Sequence, residues 1–118
     1  MAIARLRGQL AERAAEQFLR SAGLTVVDRN FRKPFGEIDL VARSGNALVF
    51  VEVRKRSHRS FADGAESIDR RKLQRLRRTA AAYLQQYRWN GPVRFDVVVL
   101  DADNRVEWLQ DAIQDEYG

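Results

Sequence analysis

Residues 36–55, GEIDLVARSGNALVFVEVRK, are two alternating apolar and polar runs separated by Ser44-Gly45-Asn46, a pattern that reads as a β-hairpin. With Gly45-Asn46 as a two-residue loop, the turn fixes the register, and residues whose numbers sum to 91 face each other. Asp39 then lies opposite Glu52, and Glu37 opposite Arg54. Ile38, Leu40, Ala42, Val49, Val51 and Val53 are expected together on the other face. A cross-strand arginine–glutamate pair suits an ordinary half-exposed hairpin. Two carboxylates facing each other destabilise a ladder unless positive charge lies between them. A divalent cation answers that need, because Mg²⁺ is held by one or two carboxylates with water and phosphate oxygens completing its shell.

The rest of the composition narrows which cation chemistry is open. There is no cysteine, which excludes disulfides, thiolate metal sites and cysteine nucleophiles. The single histidine, His58, excludes zinc sites built from several imidazoles and argues against serine–histidine hydrolysis. Oxygen ligands remain. The length of 118 residues suits one domain, and 45% apolar with 31% charged residues is the balance of a globular chain. No apolar leader opens the sequence and no run reaches eighteen apolar residues, so the expectation is a cytoplasmic protein with no membrane partner.

Charge is unevenly placed. The formal net charge is +5, yet ten basic and only three acidic residues lie between Arg54 and Arg78, while the last eighteen residues are strongly acidic. Such a concentration beside paired carboxylates suggests a polyanionic partner, nucleic acid first; the alternative is a solvated arginine-rich helix face.

In chain order, Leu6, Leu10, Ala14, Phe18 and Ala22 recur every four residues and predict an amphipathic helix from about Ile3 to Ala22, stopped by Gly23. Glu12 falls on the flank of that stripe, in line with Ala15 and Leu19, and Glu16 is expected further toward water. Residues 24–31, LTVVDRNF, predict a first strand, broken at Arg32-Lys33-Pro34 because proline cannot donate to a ladder. The loop that follows offers Arg32 and Lys33 as phosphate contacts. After Arg54 comes KRSHRSFADGAES, polar and aperiodic, in which His58 reads as a surface loop histidine. Ser67 or Asp69 caps a second helix to about Tyr87, with Leu73, Leu76, Ala80, Tyr83, Leu84 and Tyr87 on one side and Arg70, Arg71, Lys72, Arg75, Arg77 and Arg78 on the other. Val93–Leu100 reads as a strand, with Asp96 in mid-strand as a partnered structural carboxylate, and Val106–Leu109 as a short companion. The acidic tail from about Gln110 carries no signal of its own. The element order implies α/β with a mixed sheet and helices on both faces.

Asp39 followed by Glu52-Val53-Arg54 at the end of a hydrophobic strand resembles the signature of the PD-(D/E)xK nucleases, the restriction-endonuclease-like superfamily. More closely, AERAAEQFLRSAGLTVVDRNFR, FGEIDLVAR, LVFVEVRKR, RRKLQRLRRTAAAYL and RFDVVVL resemble the YraN family of small bacterial proteins assigned to that fold. The resemblance implies one three-layer α-β-α nuclease-like domain around a mixed central sheet. It implies Mg²⁺ or Mn²⁺ held by Asp39 and Glu52, with Glu12 reaching in from the first helix and Glu37 as a neighbouring carboxylate. The implied activity is metal-dependent endonuclease hydrolysis of DNA; relatives of this fold also suggest a homodimer. The nucleic-acid contacts expected are Arg32, Lys33, Lys55, Arg56, Arg59, Arg71, Lys72 and Arg75.

One departure bears on chemistry: Arg54 stands where the signature has lysine. Arginine is never a general base, but it can steady charge that builds on a phosphate. Lys55, next along, is turned by strand alternation toward the opposite face. The alternative reading is therefore a nucleic-acid-binding protein with a degenerate nuclease site.

Overall fold

A computed structural model describes residues 2–56 and 70–112. Expectations for His58, Arg59, the Ser67 or Asp69 cap and the end of the acidic tail lie outside those residues. The elements run α1 (Ala2–Ser21), β1 (Thr25–Lys33), β2 (Gly36–Ser44), β3 (Ala47–Lys55), α2 (Arg70–Gln86), β4 (Val93–Leu100) and β5 (Val106–Leu109). Gly23, at φ 98°, reverses the chain after α1, and Leu24 N–H closes the helix end by donating to Leu19 O at 3.0 Å. The arrangement is mixed α/β: five strands in the order β1-β2-β3-β4-β5, antiparallel except for the parallel β3–β4 pair.

The first strand is longer than the sequence suggests. It continues through Arg32 and Lys33, and Lys33 pairs with Gly36 across a two-residue Pro34-Phe35 turn. Proline suits that turn, whose geometry wants its fixed φ and does not need its missing N–H. Arg32 and Lys33 are therefore strand residues, not loop residues.

The central hairpin has the register expected from its turn: Ser44 faces Ala47, Arg43 Leu48, Ala42 Val49, Val41 Phe50 and Leu40 Val51, with Gly45 at φ 60°. The ladder ends at Leu40–Val51. Beyond that pair β2 stays with β1, through Phe31↔Ile38 and Arg32↔Glu37, while β3 stays with β4, through Glu52↔Val97 to Lys55↔Leu100. The two strands diverge into a fork at Asp39 and Glu52, so neither the expected Asp39–Glu52 pair nor the expected Glu37–Arg54 pair belongs to the ladder.

Alternate side chains of the sheet build two cores. Leu40, Ala42, Val49, Val51, Val98 and Leu100 pack with Ala11, Ala15 and Leu19 of α1. Val41, Leu48, Phe50, Val97 and Val99 pack with Leu76, Ala80 and Tyr83 of α2. Ile38 belongs to the α2 cluster, not with Leu40 as strict alternation requires. The β1–β2 ladder steps from Arg29↔Leu40 to Phe31↔Ile38, and Asn30 between them has a left-handed backbone, φ 50°. The ladder keeps one register across this step, and its register shift lies earlier, between Val26 and Asp28.

The buried stripe of α1 also differs from the expected one. Ala11, Ala15 and Leu19 are in the core, whereas Leu10 is 53% exposed. The alanines let the helix approach the sheet closely, and the turn of the helix carries Glu16 onto β1, where Arg29 Nε donates to its Oε1 at 2.6 Å. Arg29 and Arg20 together hold the Glu16 carboxyl down at about 2. Asp96, fully buried, accepts from Arg94, from Trp108 Nε1 (2.8 Å) and from Asp111 N–H (2.8 Å), a satisfied structural carboxylate that ties β4 to β5 and the turn after it. Among the described residues no helix is long and apolar enough to cross a membrane.

Candidate functional site

The fork leaves two half-ladders of backbone groups without strand partners, and one of them is met by a side chain. Val53 N–H donates to Asp39 Oδ2 at 2.8 Å, so the Asp39 carboxylate bridges the gap between β2 and β3. Glu52, the next residue on β3, is 6% exposed. Asp39 and Glu52 line a single cavity of about 290 Å³ together with Gly36, Glu37, Val53, Lys72, Arg75 and Leu76.

Burial, and then the neighbouring Glu52 charge, push the Asp39 carboxyl up from 3.8 to about 8; the Val53 hydrogen bond opposes this, and Glu12 and Glu37 add smaller repulsions. A buried carboxylate strained in this way favours added positive charge. Its oxygen donors suit a hard divalent cation, so the residues present fit the Mg²⁺ or Mn²⁺ that the sequence suggested. Among the described residues no three Asp, Glu or His side chains converge closely enough to hold an ion unaided. Mg²⁺ is commonly held by one or two carboxylates, with water and phosphate oxygens completing its shell.

Basic side chains close the cavity from α2. Lys72 Nζ lies 2.6 Å from Glu52 Oε2, and Arg54 Nε approaches the same oxygen at 3.6 Å. Lys72 thus stands against the Glu52 carboxylate itself. Gly36 makes this proximity possible. A Cβ there would collide with the Thr79 hydroxyl and come within 3.1 Å of Arg75 O, so β2 and α2 touch backbone to backbone beside the fork.

Glu12 stands next door. It lines an adjoining cavity of about 440 Å³ with Gly8, Gln9, Asn30, Arg32 and Glu37. Asn30 Nδ2 donates to Glu12 Oε1 at 3.0 Å and to Glu37 Oε2 at 3.1 Å, and Arg32 Nε lies 3.2 Å from that same Glu37 oxygen. Glu37 is shared by both cavities, and Glu12 acts on Asp39 through charge. Asn30 was not singled out from the sequence. Its signal was an asparagine inside a strand, the residue most tolerant of a left-handed backbone after glycine.

The remaining basic positions are spread around the fork. Arg71 and Arg75 are exposed on α2 and Lys55 is exposed at the end of β3. Lys33 stacks its ammonium 5.4 Å above the Phe31 ring, and Arg56 Nη2 donates to Glu107 Oε1 at 3.1 Å. Arg59 is outside the described residues.

Residues 11–100, which contain every element from the middle of α1 to the end of β4, match the model of the uncharacterised protein family UPF0102. The chain belongs to UPF0102. It is 48% identical over 105 residues to a UPF0102 protein of Shewanella amazonensis, covering 89% of this chain and 96% of the relative. A UPF0102 protein of Halorhodospira halophila is 47% identical over 112 residues, 95% of this chain and 90% of the relative. One of Hahella chejuensis is 49% identical over 108 residues, 89% and 87%. The UPF0102 match takes in Glu12, Glu37, Asp39, Glu52, Arg54 and Lys72, so the whole fork lies within the family's span.

Proposed function

We propose that this UPF0102 protein is a metal-dependent endonuclease that hydrolyses phosphodiester bonds of DNA at the fork between β2 and β3. The observation that carries the reading is the placement of Asp39 and Glu52 in one cavity with Lys72 and Arg75, where burial and the Glu52 charge raise the Asp39 carboxyl. Paired carboxylates under basic side chains suit a reaction in which a cation and a phosphate must meet. In this reading the chain is one domain of the three-layer α-β-α, restriction-endonuclease-like kind, with α1 and α2 on opposite faces of the sheet.

Asp39 and Glu52 would hold Mg²⁺ or Mn²⁺, with Glu12 and Glu37 adding negative charge from the adjoining cavity. When bound, the ion supplies charge neutralisation at the phosphate and acidifies a water. Arg54 and Lys72 steady the charge that grows on the phosphate as water oxygen attacks phosphorus and the bond to the departing sugar oxygen breaks. The reaction consumes one water and leaves a phosphomonoester and a hydroxyl. Arg32, Lys33, Lys55, Arg56, Arg59, Arg71 and Arg75 grip the backbone, which favours selection by shape over sequence.

The test is cleavage of plasmid and branched DNA with Mg²⁺ or Mn²⁺ by wild type, Asp39→Ala and Glu52→Ala. Loss of cleavage in both variants supports the assignment, and activity that survives both substitutions removes it.

One observation favours a second reading, a nucleic-acid-binding protein without turnover: the group at the signature's lysine position is the Arg54 guanidinium, drawn toward Glu52. Arg54→Lys separates the two. A gain of cleavage marks a slow nuclease; unchanged DNA binding without cleavage marks a binding protein.

A further inference from the structure

Two cations converge on one oxygen in this site, and they differ in what they can do. Arg54 and Glu52 are two residues apart on β3, and the arginine carries a broad, planar, rigid group. Lys72 comes from the first turn of α2, with a compact charge on a flexible four-carbon stem. Its Nζ is 2.6 Å from Glu52 Oε2, the distance of a close charge-assisted contact, yet its side chain is 39% exposed where that of Glu52 is only 8% exposed. The ammonium therefore reaches Glu52 from the open side of the cavity. Rotation about its stem carries it from the carboxylate to the cavity mouth without movement of α2. Arg75, one helical turn further on, lines the same cavity.

An ammonium at that oxygen competes with any divalent ion that would share Glu52 and Asp39. Its departure has a second consequence: a positive charge formerly neutralised by Glu52 is turned toward the space beside Arg75, where a phosphate would lie. We propose that Lys72 is a resident counter-cation, neutralising Glu52 until a divalent ion binds and then turning to a substrate phosphate, so that the ion and a phosphodiester bind cooperatively. This rests on the reading of Asp39 and Glu52 as ion ligands and adds to it a coupling that the carboxylates alone do not provide. The reciprocity is obligatory: whatever factor the ion adds to phosphodiester affinity, the phosphodiester adds to ion affinity.

The experiment measures Mn²⁺ affinity of the full chain by calorimetry without nucleic acid, for wild type, Lys72→Met, Lys72→Gln, Arg75→Gln and Asp39→Asn. Removal of a partly exposed ion pair with Glu52 is expected to tighten Mn²⁺ by about three- to tenfold in both Lys72 variants. Arg75→Gln removes a charge from the same cavity and controls for its general potential; its effect is expected to be clearly smaller. In a second arm, a fluorescent DNA duplex is titrated with and without Ca²⁺, and the gain in affinity due to Ca²⁺ is expected to be several-fold larger for wild type than for Lys72→Met.

The proposal is overturned if the Lys72 variants bind Mn²⁺ no more tightly than wild type, or if Arg75→Gln tightens it equally. If wild type binds Mn²⁺, Asp39→Asn abolishes that binding and Lys72→Met changes nothing, the ion site stands and the counter-cation falls. A wild type that takes up no Mn²⁺ overturns both.

Discussion

Replacing Asp39 by asparagine is expected to stabilise the ion-free protein at neutral pH. The substitution keeps the hydrogen bond that matters locally, because an amide oxygen accepts from Val53 N–H as the carboxylate does. What it removes is an ionisable group that folding perturbs. The Asp39 pKa rises from 3.8 to about 8 on folding, first through burial and then through Glu52. An acid with a raised native pKa keeps its proton in the folded state after the unfolded chain has lost its own, so stability falls as pH rises between the two values. Each pH unit in that window is worth at most about 1.4 kcal/mol. Near pH 7, roughly three units above the unfolded value, the wild type carries a penalty with a ceiling of about 4 kcal/mol, and the variant is expected to recover about 2–4 kcal/mol of it. For a chain of this size that corresponds to a rise in Tm on the order of 10 °C.

The assay is urea or thermal unfolding of wild type and Asp39→Asn in a chelator, from about pH 4 to about pH 8. The two curves should meet at the acid end and separate steadily toward neutrality. Saturating Mg²⁺ or Mn²⁺ should then raise the stability of wild type and leave the variant almost unchanged, by mass action on an ion bound only to the folded state. Parallel pH profiles, or a variant less stable than wild type near pH 7, would refute the account of Asp39 as a strained buried carboxylate.

Other substitutions test the frame around the fork. Gly36→Ala should cost about 1–3 kcal/mol in unfolding free energy, because its Cβ has to displace the buried Thr79 hydroxyl and crowd Arg75 O. Asp96→Ala should cost about 3–5 kcal/mol, since it strands Arg94 and orphans Trp108 Nε1 and Asp111 N–H; an unfolding midpoint near that of wild type would contradict the structural role given to it. If α2 grips DNA, the logarithm of affinity should fall linearly with that of salt, and Arg75→Ala should lower the slope by about 1 in a filter-binding or anisotropy series.

Local features were legible in the order of residues alone. Alternation and the Gly45-Asn46 turn specify the central hairpin and its register, because side-chain period and loop length leave no other pairing that buries Leu40, Ala42, Val49 and Val51 together. The same logic gave the order of helices and strands, the stop at Gly23 and the structural role of Asp96. Local logic failed where neighbours compete. Counting large apolar residues chose the Leu10 stripe of α1, whereas close packing against the sheet chose Ala11 and Ala15. Strict alternation misplaced Ile38, which packs with the α2 cluster although its register with β1 is unbroken from Arg29 to Lys33.

That Asp39 and Glu52 come to one place was legible, but they are not the ladder partners the register predicts, and the cavity they line was not legible. Register arithmetic continues a ladder indefinitely; only the tertiary structure says that beyond Leu40–Val51 the outer strands β1 and β4 hold β2 and β3 apart. That divergence separates Glu37 from Arg54 and brings Asp39 onto Val53 N–H. It also admits Lys72, twenty residues further along the chain, to Glu52. A contact between such distant residues depends on where α2 lies against β2, at Gly36 and Thr79, and no periodicity within either segment encodes that placement.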